Sequence, residues 1–298
     1  MVLPVSNWGS VVTKRPVNIM LLLLVACLLP CIVEAEGTES NNTVLKRFVL
    51  EEPSYFAIGA GTRKWGTPNS FLTDPGNQAK FRLALRMLIL PLTEQGDGFY
   101  FLFTEEALWN PFDGRSASLD NRYTPEFIGW WNNGIGQKGM WYRPAVGLSY
   151  THQSNGLMGD MSRSWNRAML RFAFGDVNNA PLLLTLKSWL SFSVDHRMPD
   201  LEDYVGEGEV LLIVQPLMRS QGLGADVLGL SLRSGITSTR RTFSNLEATL
   251  TCNAAALFHW PISTMPILML QYFVGRGESL LYYKRDTHSL RIGLVVFR

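Results

Sequence analysis

Two short stretches hold the residue types that could do chemistry: His152-Gln153-Ser154-Asn155-Gly156 and Ser162-Arg163-Ser164-Trp165-Asn166. On a β-strand side chains alternate faces, so His152 and Ser154 project from one side. A serine needs a neighbouring base to act as a nucleophile at neutral pH, and His152 is within reach. Asn166, on the next extended run, can accept the imidazole Nδ1–H and hold the productive tautomer. The competing view is that His-x-Ser-x-Gly, taken alone, decorates a strand surface.

The strands around these residues are the first clue to their setting. Tyr150, Leu148 and Val146 share a side with His152, while Thr151, Ser149, Gly147 and Ala145 take the other. In the next run Asn166, Ala168, Leu170, Phe172 and Phe174 fall together, opposite Arg167, Met169 and Arg171. The candidate triad therefore ends two apolar faces whose reverse sides carry arginines.

The chain has 298 residues and a formal net charge of +2, which gives no reason to expect a nucleic-acid partner. Lys14 and Arg15 precede an apolar run from Ile19 to Val33, and Val33-Glu34-Ala35 offers a small-x-small cleavage site. Residues 1–35 are thus expected to be a signal peptide, the alternatives being a membrane anchor or lipoprotein processing at Cys27. Cleavage would leave Cys252 as the sole cysteine and preclude an intramolecular disulfide. Residues 36–53 are polar and read as a flexible lead-in. Beyond Ala35 no apolar run reaches the ~20 residues a membrane helix needs, but that test misses β-barrels.

From residue 54 to 298 alternation dominates. The expected strands are Tyr55–Ala60, Lys80–Leu90, Phe99–Trp109, Pro125–Trp131, Trp141–Ser154, Ser164–Phe174, Leu182–Phe192, Gly208–Val214, Asp226–Arg233, Thr242–Cys252, Ile267–Val274 and Leu290–Phe297. Residues 110–122 and 195–204 read as polar and charged loops. Arginine and glutamate recur on the minor face of many strands, which a dry sandwich core would not tolerate. An apolar outside and a polar inside is the pattern of a transmembrane antiparallel β-barrel of about twelve strands. Tryptophans 109, 130, 131, 141 and 165 would form an interfacial girdle. A secreted β-sandwich with one wet face is the alternative fold.

With the apolar faces outside, His152, Ser154 and Asn166 point into lipid near one end of the barrel. A carboxylate facing hydrocarbon is expensive, so asparagine suits the third position there. The substrate that meets such a surface is an acyl ester of a membrane lipid.

The blocks His152-Gln153-Ser154-Asn155-Gly156, Ser162-Arg163-Ser164-Trp165-Asn166-Arg167 and Gly275-Arg276-Gly277-Glu278-Ser279-Leu280 resemble the outer-membrane phospholipase A family of Gram-negative bacteria. The resemblance covers most of the chain from about Tyr55 onward. It implies a barrel of the bacterial outer membrane that hydrolyses phospholipid acyl esters (A1, A2 and lysophospholipase activity). Ser154 would be nucleophile, His152 base and Asn166 orienter. It further implies a Ca2+ ion beside an oxyanion-binding amide at Gly156, held by the Leu157 carbonyl, the Ser162 hydroxyl and Ser116 from the partner subunit of an active homodimer. At a possible accessory calcium position, His196 and Arg197 stand where acids are expected, leaving Asp195 or Asp200 to substitute. Glu105 shares parity with Phe101, Phe103, Ala107 and Trp109, and the resemblance places a polar residue near it that bonds across the dimer. The other function class is a catalytically silent barrel acting as channel or scaffold, which inward arginines filling the lumen disfavour.

Overall fold

The computed structural model describes residues 48–49, 53–61, 77–93, 96–109, 118–131, 145–175, 182–219, 226–237, 242–253 and 267–297. The expected signal peptide, most of the lead-in, and residues Ser116 and Trp141 lie outside them.

Twelve antiparallel strands close on themselves: β1 Ser54–Gly61, β2 Asn77–Pro91, β3 Gly98–Trp109, β4 Ser118–Trp131, β5 Ala145–Ser154, β6 Ser164–Phe174, β7 Leu182–Phe192, β8 Gly208–Arg219, β9 Asp226–Thr237, β10 Asn245–Cys252, β11 Ile267–Gly275 and β12 Thr287–Phe297. Each pairs with its sequence neighbour, and β12 returns to β1 with Ile292 opposite Ile58 and Leu290 opposite Ala60. Closure leaves no strand edge unpaired, which is what lets a sheet sit in lipid. No helix among the described residues is long and apolar enough to cross a membrane, a fact that says nothing about crossing by strands.

The alternation places every second side chain as the barrel reading requires. Leu148, Leu170, Leu190 and Ile292 are exposed on the outer wall, Leu190 by 76%. Lys80, Arg82, Glu126, Arg167, Arg171 and Arg291 are buried inside. These charges neutralise one another across strands. Arg171 Nη2 lies 2.7 Å from Glu126 Oε1, Lys187 Nζ 2.8 Å from Glu209 and Lys80 Nζ 2.7 Å from Glu247. Glu106 pairs with both Arg122 and Arg82. The lumen keeps a cavity of about 190 Å³ among these groups.

Two expectations need correction. Strand β4 begins at Ser118, inside the segment expected to be loop through residue 122. Asp120 and Arg122 look like loop residues, yet their polarity suits the inner face they occupy. The girdle reading also fails for two tryptophans. Trp165 alternates with outward Asn166, so it points inward and is 2% exposed. Trp130 turns inward as well, filling the space where a Cβ on Gly147 would stand. Trp131 is exposed on the outer wall, where a girdle residue belongs.

At the end of the barrel that carries Ser154, the charged segment 195–204 is not an open loop. Met198 and Leu201 are buried with Trp165, Trp189, Leu280 and Tyr283 in one apolar cluster. A short helix, α1 Glu202–Val205, completes the turn. The third sequence block, Gly275 to Leu280, supplies the other half of this cap. Asp120 accepts hydrogen bonds from Ser279 Oγ, Leu280 N and Leu281 N at 2.7, 2.6 and 3.2 Å. Glu278 descends into the lumen to meet Arg291.

Asp200 ties the two halves, accepting from Lys284 Nζ at 2.6 Å and Tyr283 Oη at 2.5 Å. The hydrogen bond from Lys284, then that from Tyr283, hold its carboxyl below the usual carboxylate range. A depressed carboxylate stabilises fully above its unfolded value near ~3.9 and loses that contribution as pH falls through the folded value. The cap is therefore expected to keep its amide hydrogen-exchange protection from pH 7 to 5, and that protection should weaken progressively as pH falls below about 4. Asp200→Asn should show the weaker protection already at neutral pH.

Candidate active site

Strands β5 and β6 run side by side with His152 opposite Asn166 and Ser154 opposite Ser164. The two outer faces therefore bring histidine and asparagine together without any special turn. His152 Nδ1 and Asn166 Oδ1 are 2.8 Å apart, so the ring donates to the amide carbonyl and Nε2 is left for a proton acceptor's role. Ser154 is two residues along on the same half-buried face. No hydrogen bond joins its Oγ to His152 in this structure. Catalytic hydrogen bonds in ligand-free enzymes are often long and tighten only with substrate.

The face behind the dyad is pinned. Gln153 points inward between His152 and Ser154, donating to Thr124 Oγ1 on β4 at 3.0 Å and accepting from Trp165 Nε1 on β6 at 2.7 Å. Trp165 packs edge-on against Trp189, and Arg167 lies over both indole rings. A rigid inner layer thus supports each side chain that faces lipid.

Residues 155–163 close over the end of β5. Asn155, 1% exposed, organises them from within. Its Nδ2 donates to the Met161 carbonyl at 2.8 Å, and its Oδ1 accepts from Arg163 N at 2.9 Å and Leu157 N at 3.3 Å. Gly156 sits at φ +67°, and a Cβ there would come within 2.7 Å of the Tyr123 ring. Only glycine satisfies both the left-handed backbone and that contact.

The oxygens that would hold calcium are of the right chemistry. The Leu157 carbonyl and Ser162 hydroxyl are neutral hard donors, and neither accepts or donates a hydrogen bond among the described residues. Ser116, the third, falls outside the described residues. Among the described residues no group of three or more His, Cys, Asp or Glu side chains could hold a metal. Asp195 and Asp200, considered for an accessory ion, are already engaged. Asp195 accepts from Arg197 N at 2.9 Å and pairs with its guanidinium at 3.2 Å. Burial is outweighed by those contacts, and the carboxyl is held below its usual range.

Sequence reasoning passed over Tyr150, whose hydroxyl donates to Asn166 Oδ1 at 2.9 Å. It also gave no role to Asn155 or Asp120. Asn155 bonds to backbone groups two to eight residues on, in the turn after β5, and Asp120 to groups near Ser279, about 160 residues away; alternation reveals neither.

A family model described as phospholipase A1 matches residues 66–296. The chain belongs to the phospholipase A1 family. Phospholipase A1 of Salmonella typhimurium is 23% identical over 228 residues, covering 74% of this chain and 70% of that protein. Among solved structures, an active-site mutant of Escherichia coli outer membrane phospholipase A superposes with a TM-score of 0.68 at 18% identity, over 87% of this chain and 93% of that one. The calcium-bound dimer of the Salmonella typhi outer membrane phospholipase gives 0.69 at 19% identity, over 86% and 93%. The chain is accordingly a phospholipase built on the β-barrel fold of these outer membrane phospholipases.

Proposed function

We propose that this phospholipase hydrolyses acyl esters of glycerophospholipids with a Ser154-His152-Asn166 triad, in a calcium-dependent reaction switched on by dimerisation. The observation that carries the proposal is the 2.8 Å contact of His152 Nδ1 with Asn166 Oδ1 on a lipid-facing wall. In that tautomer Nε2 takes the Ser154 proton as Oγ attacks the ester carbonyl, and the imidazolium is held by Asn166. The resulting tetrahedral oxyanion lies toward the Gly156 amide. On its collapse the C–O bond to glycerol breaks, and the leaving alkoxide takes the proton from Nε2. A water then repeats the sequence on the acyl-serine, releasing fatty acid and restoring Ser154.

Leu157, Ser162 and the partner's Ser116 would hold Ca2+ beside Gly156, supplying positive charge where the oxyanion develops. Few protein oxygens are offered, so affinity would be modest and water would fill the remaining positions. The apolar substrate face favours two barrels meeting along the same wall. The Salmonella typhi neighbour, a dimer with bound calcium, supports both parts of this reading. The channel alternative finds no support in a lumen filled by paired charges and covered by a folded cap.

The test is fatty-acid release from phospholipid–detergent mixed micelles. Wild type should release fatty acid with calcium present, whereas chelated wild type and Ser154→Ala should show background only. Equal release from all three would remove the triad and the ion together.

The dimer has its own test. Glu105 lies on the outer face in register with Leu83 and Tyr123, yet it is 5% exposed. Its carboxyl must be protonated or paired as two walls close on it, and an amide carries no such requirement. Glu105→Gln is expected to preserve or strengthen cross-linking between barrels. Glu105→Ala cross-linking as well as wild type would rule the residue out.

A further inference from the structure

Asn166 Oδ1 accepts two hydrogen bonds, from His152 Nδ1 at 2.8 Å and from the Tyr150 hydroxyl at 2.9 Å. The phenol approaches diagonally across the β5–β6 ladder, where its register partner is Ala168. Ala168 is small enough to let the ring lie across β6 and meet Phe192 on β7, with ring centres 6.0 Å apart. Phe192 is itself the register partner of Asn166. The two aromatic rings therefore fix Tyr150 beside the amide, on the outer wall.

Resting on the triad proposed above, we propose that Tyr150 is a positioning residue: it locks the Asn166 amide with its oxygen toward His152. An asparagine amide has two nearly isosteric orientations. With oxygen toward the ring, His152 keeps its proton on Nδ1 and Nε2 is free to accept from Ser154. With the amide reversed, Nδ2 donates to Nδ1, the ring proton moves to Nε2, and no base faces the serine. His152 is hydrogen-bonded in both cases and does not choose between them. Tyr150 does. Reversal would leave its hydroxyl proton without an acceptor, since Asn166 Oδ1 is its only one among the described residues. An O–H donor aimed at hydrocarbon is strongly disfavoured.

A carboxylate has no wrong orientation, and this gives the test. Tyr150→Phe in the wild-type background is expected to lower kcat about tenfold with KM unchanged. In an Asn166→Asp background the same substitution should change kcat less than about twofold, because either oxygen can accept from His152. A second readout needs no turnover: 15N NMR of histidine-labelled protein in micelles, with His152 assigned by comparison with His152→Gln. Wild type should show the Nδ1–H tautomer, and Tyr150→Phe a mixture of both. Where the kinetic cycle is unreadable or disagrees with NMR, the tautomer decides. An unchanged tautomer in Tyr150→Phe overturns the proposal even if activity falls. A silent Ser154→Ala with Tyr150→Phe at wild-type rate overturns the role of Tyr150 alone, whereas an active Ser154→Ala removes the triad beneath it.

Discussion

Asn155→Ala is expected to lower kcat by about 10²- to 10³-fold while leaving the barrel intact. The size follows from what one buried side chain holds in place. The Asn155 amide joins the Met161 carbonyl to the N–H groups of Arg163 and Leu157, and its backbone N–H donates to the Arg163 carbonyl. Alanine keeps the last of these and abandons the first three. Each buried backbone group left without a partner costs about 1–3 kcal/mol, so residues 156–162 would rearrange to reach water. The Gly156 amide, the Leu157 carbonyl and the Ser162 hydroxyl all belong to that segment. Oxyanion donation and calcium affinity should therefore fall together, with higher calcium restoring only part of the rate. Asn155→Asp retains the acceptor and loses the donor to Met161, so an intermediate loss is expected. Fatty-acid release measured across calcium concentrations checks both, with electrophoretic mobility before and after heating as the control for a folded barrel. Wild-type kcat and wild-type calcium dependence in Asn155→Ala would show that the segment holds its shape unaided.

Asn155 also marks the boundary of what the sequence makes legible. Period-two alternation is a backbone property, so it located all twelve strands and the outward parity of His152, Ser154 and Asn166. It likewise implied that arginines would line the lumen, because a face opposite lipid in a closed barrel is the wet one. Alternation says nothing where polarity no longer separates the faces. At the capped end both surfaces meet water or loop, and the start of β4 is hidden there because Asp120 and Arg122 resemble turn residues. Trp165 departs from the girdle for a different reason. Its place near a strand end suggests a girdle, whereas parity with Asn166 requires it to point inward, and parity prevails.

The site divides in the same way. Residue pairs one strand apart, such as His152 with Asn166, can be anticipated from register once the strands are drawn. Contacts that depend on side-chain reach across the ladder cannot, and Tyr150 to Asn166 is one of them. The cap was least legible of all. Met198 lies between Asp195 and Asp200, and Leu201 directly follows Asp200, in a charged stretch with no period, yet both are fully buried on Trp165 and Trp189. Their burial follows from tertiary packing alone.

Glu278→Ala is expected to cost about 3–5 kcal/mol of barrel stability, the loss typical of breaking a buried ion pair from one side. Glu278 Oε1 lies 2.7 Å from Arg291 Nη1, both side chains have no exposed surface, and Lys80 Nζ approaches to 3.8 Å. Alanine would leave Arg291 buried without its nearest carboxylate and Lys80 with less compensation. It would also pull the anchor from the segment whose neighbours, Ser279 to Leu281, hang on Asp120. The expected readouts are a lower denaturant midpoint for unfolding in detergent and faster hydrogen exchange across residues 276–286. The pair itself is not what stability requires, since removing both charges avoids the stranded cation. Glu278→Ala combined with Arg291→Met should therefore be more stable than Glu278→Ala alone. A double variant no better than the single one would mean that Glu278 acts by anchoring the cap and that its charge is incidental.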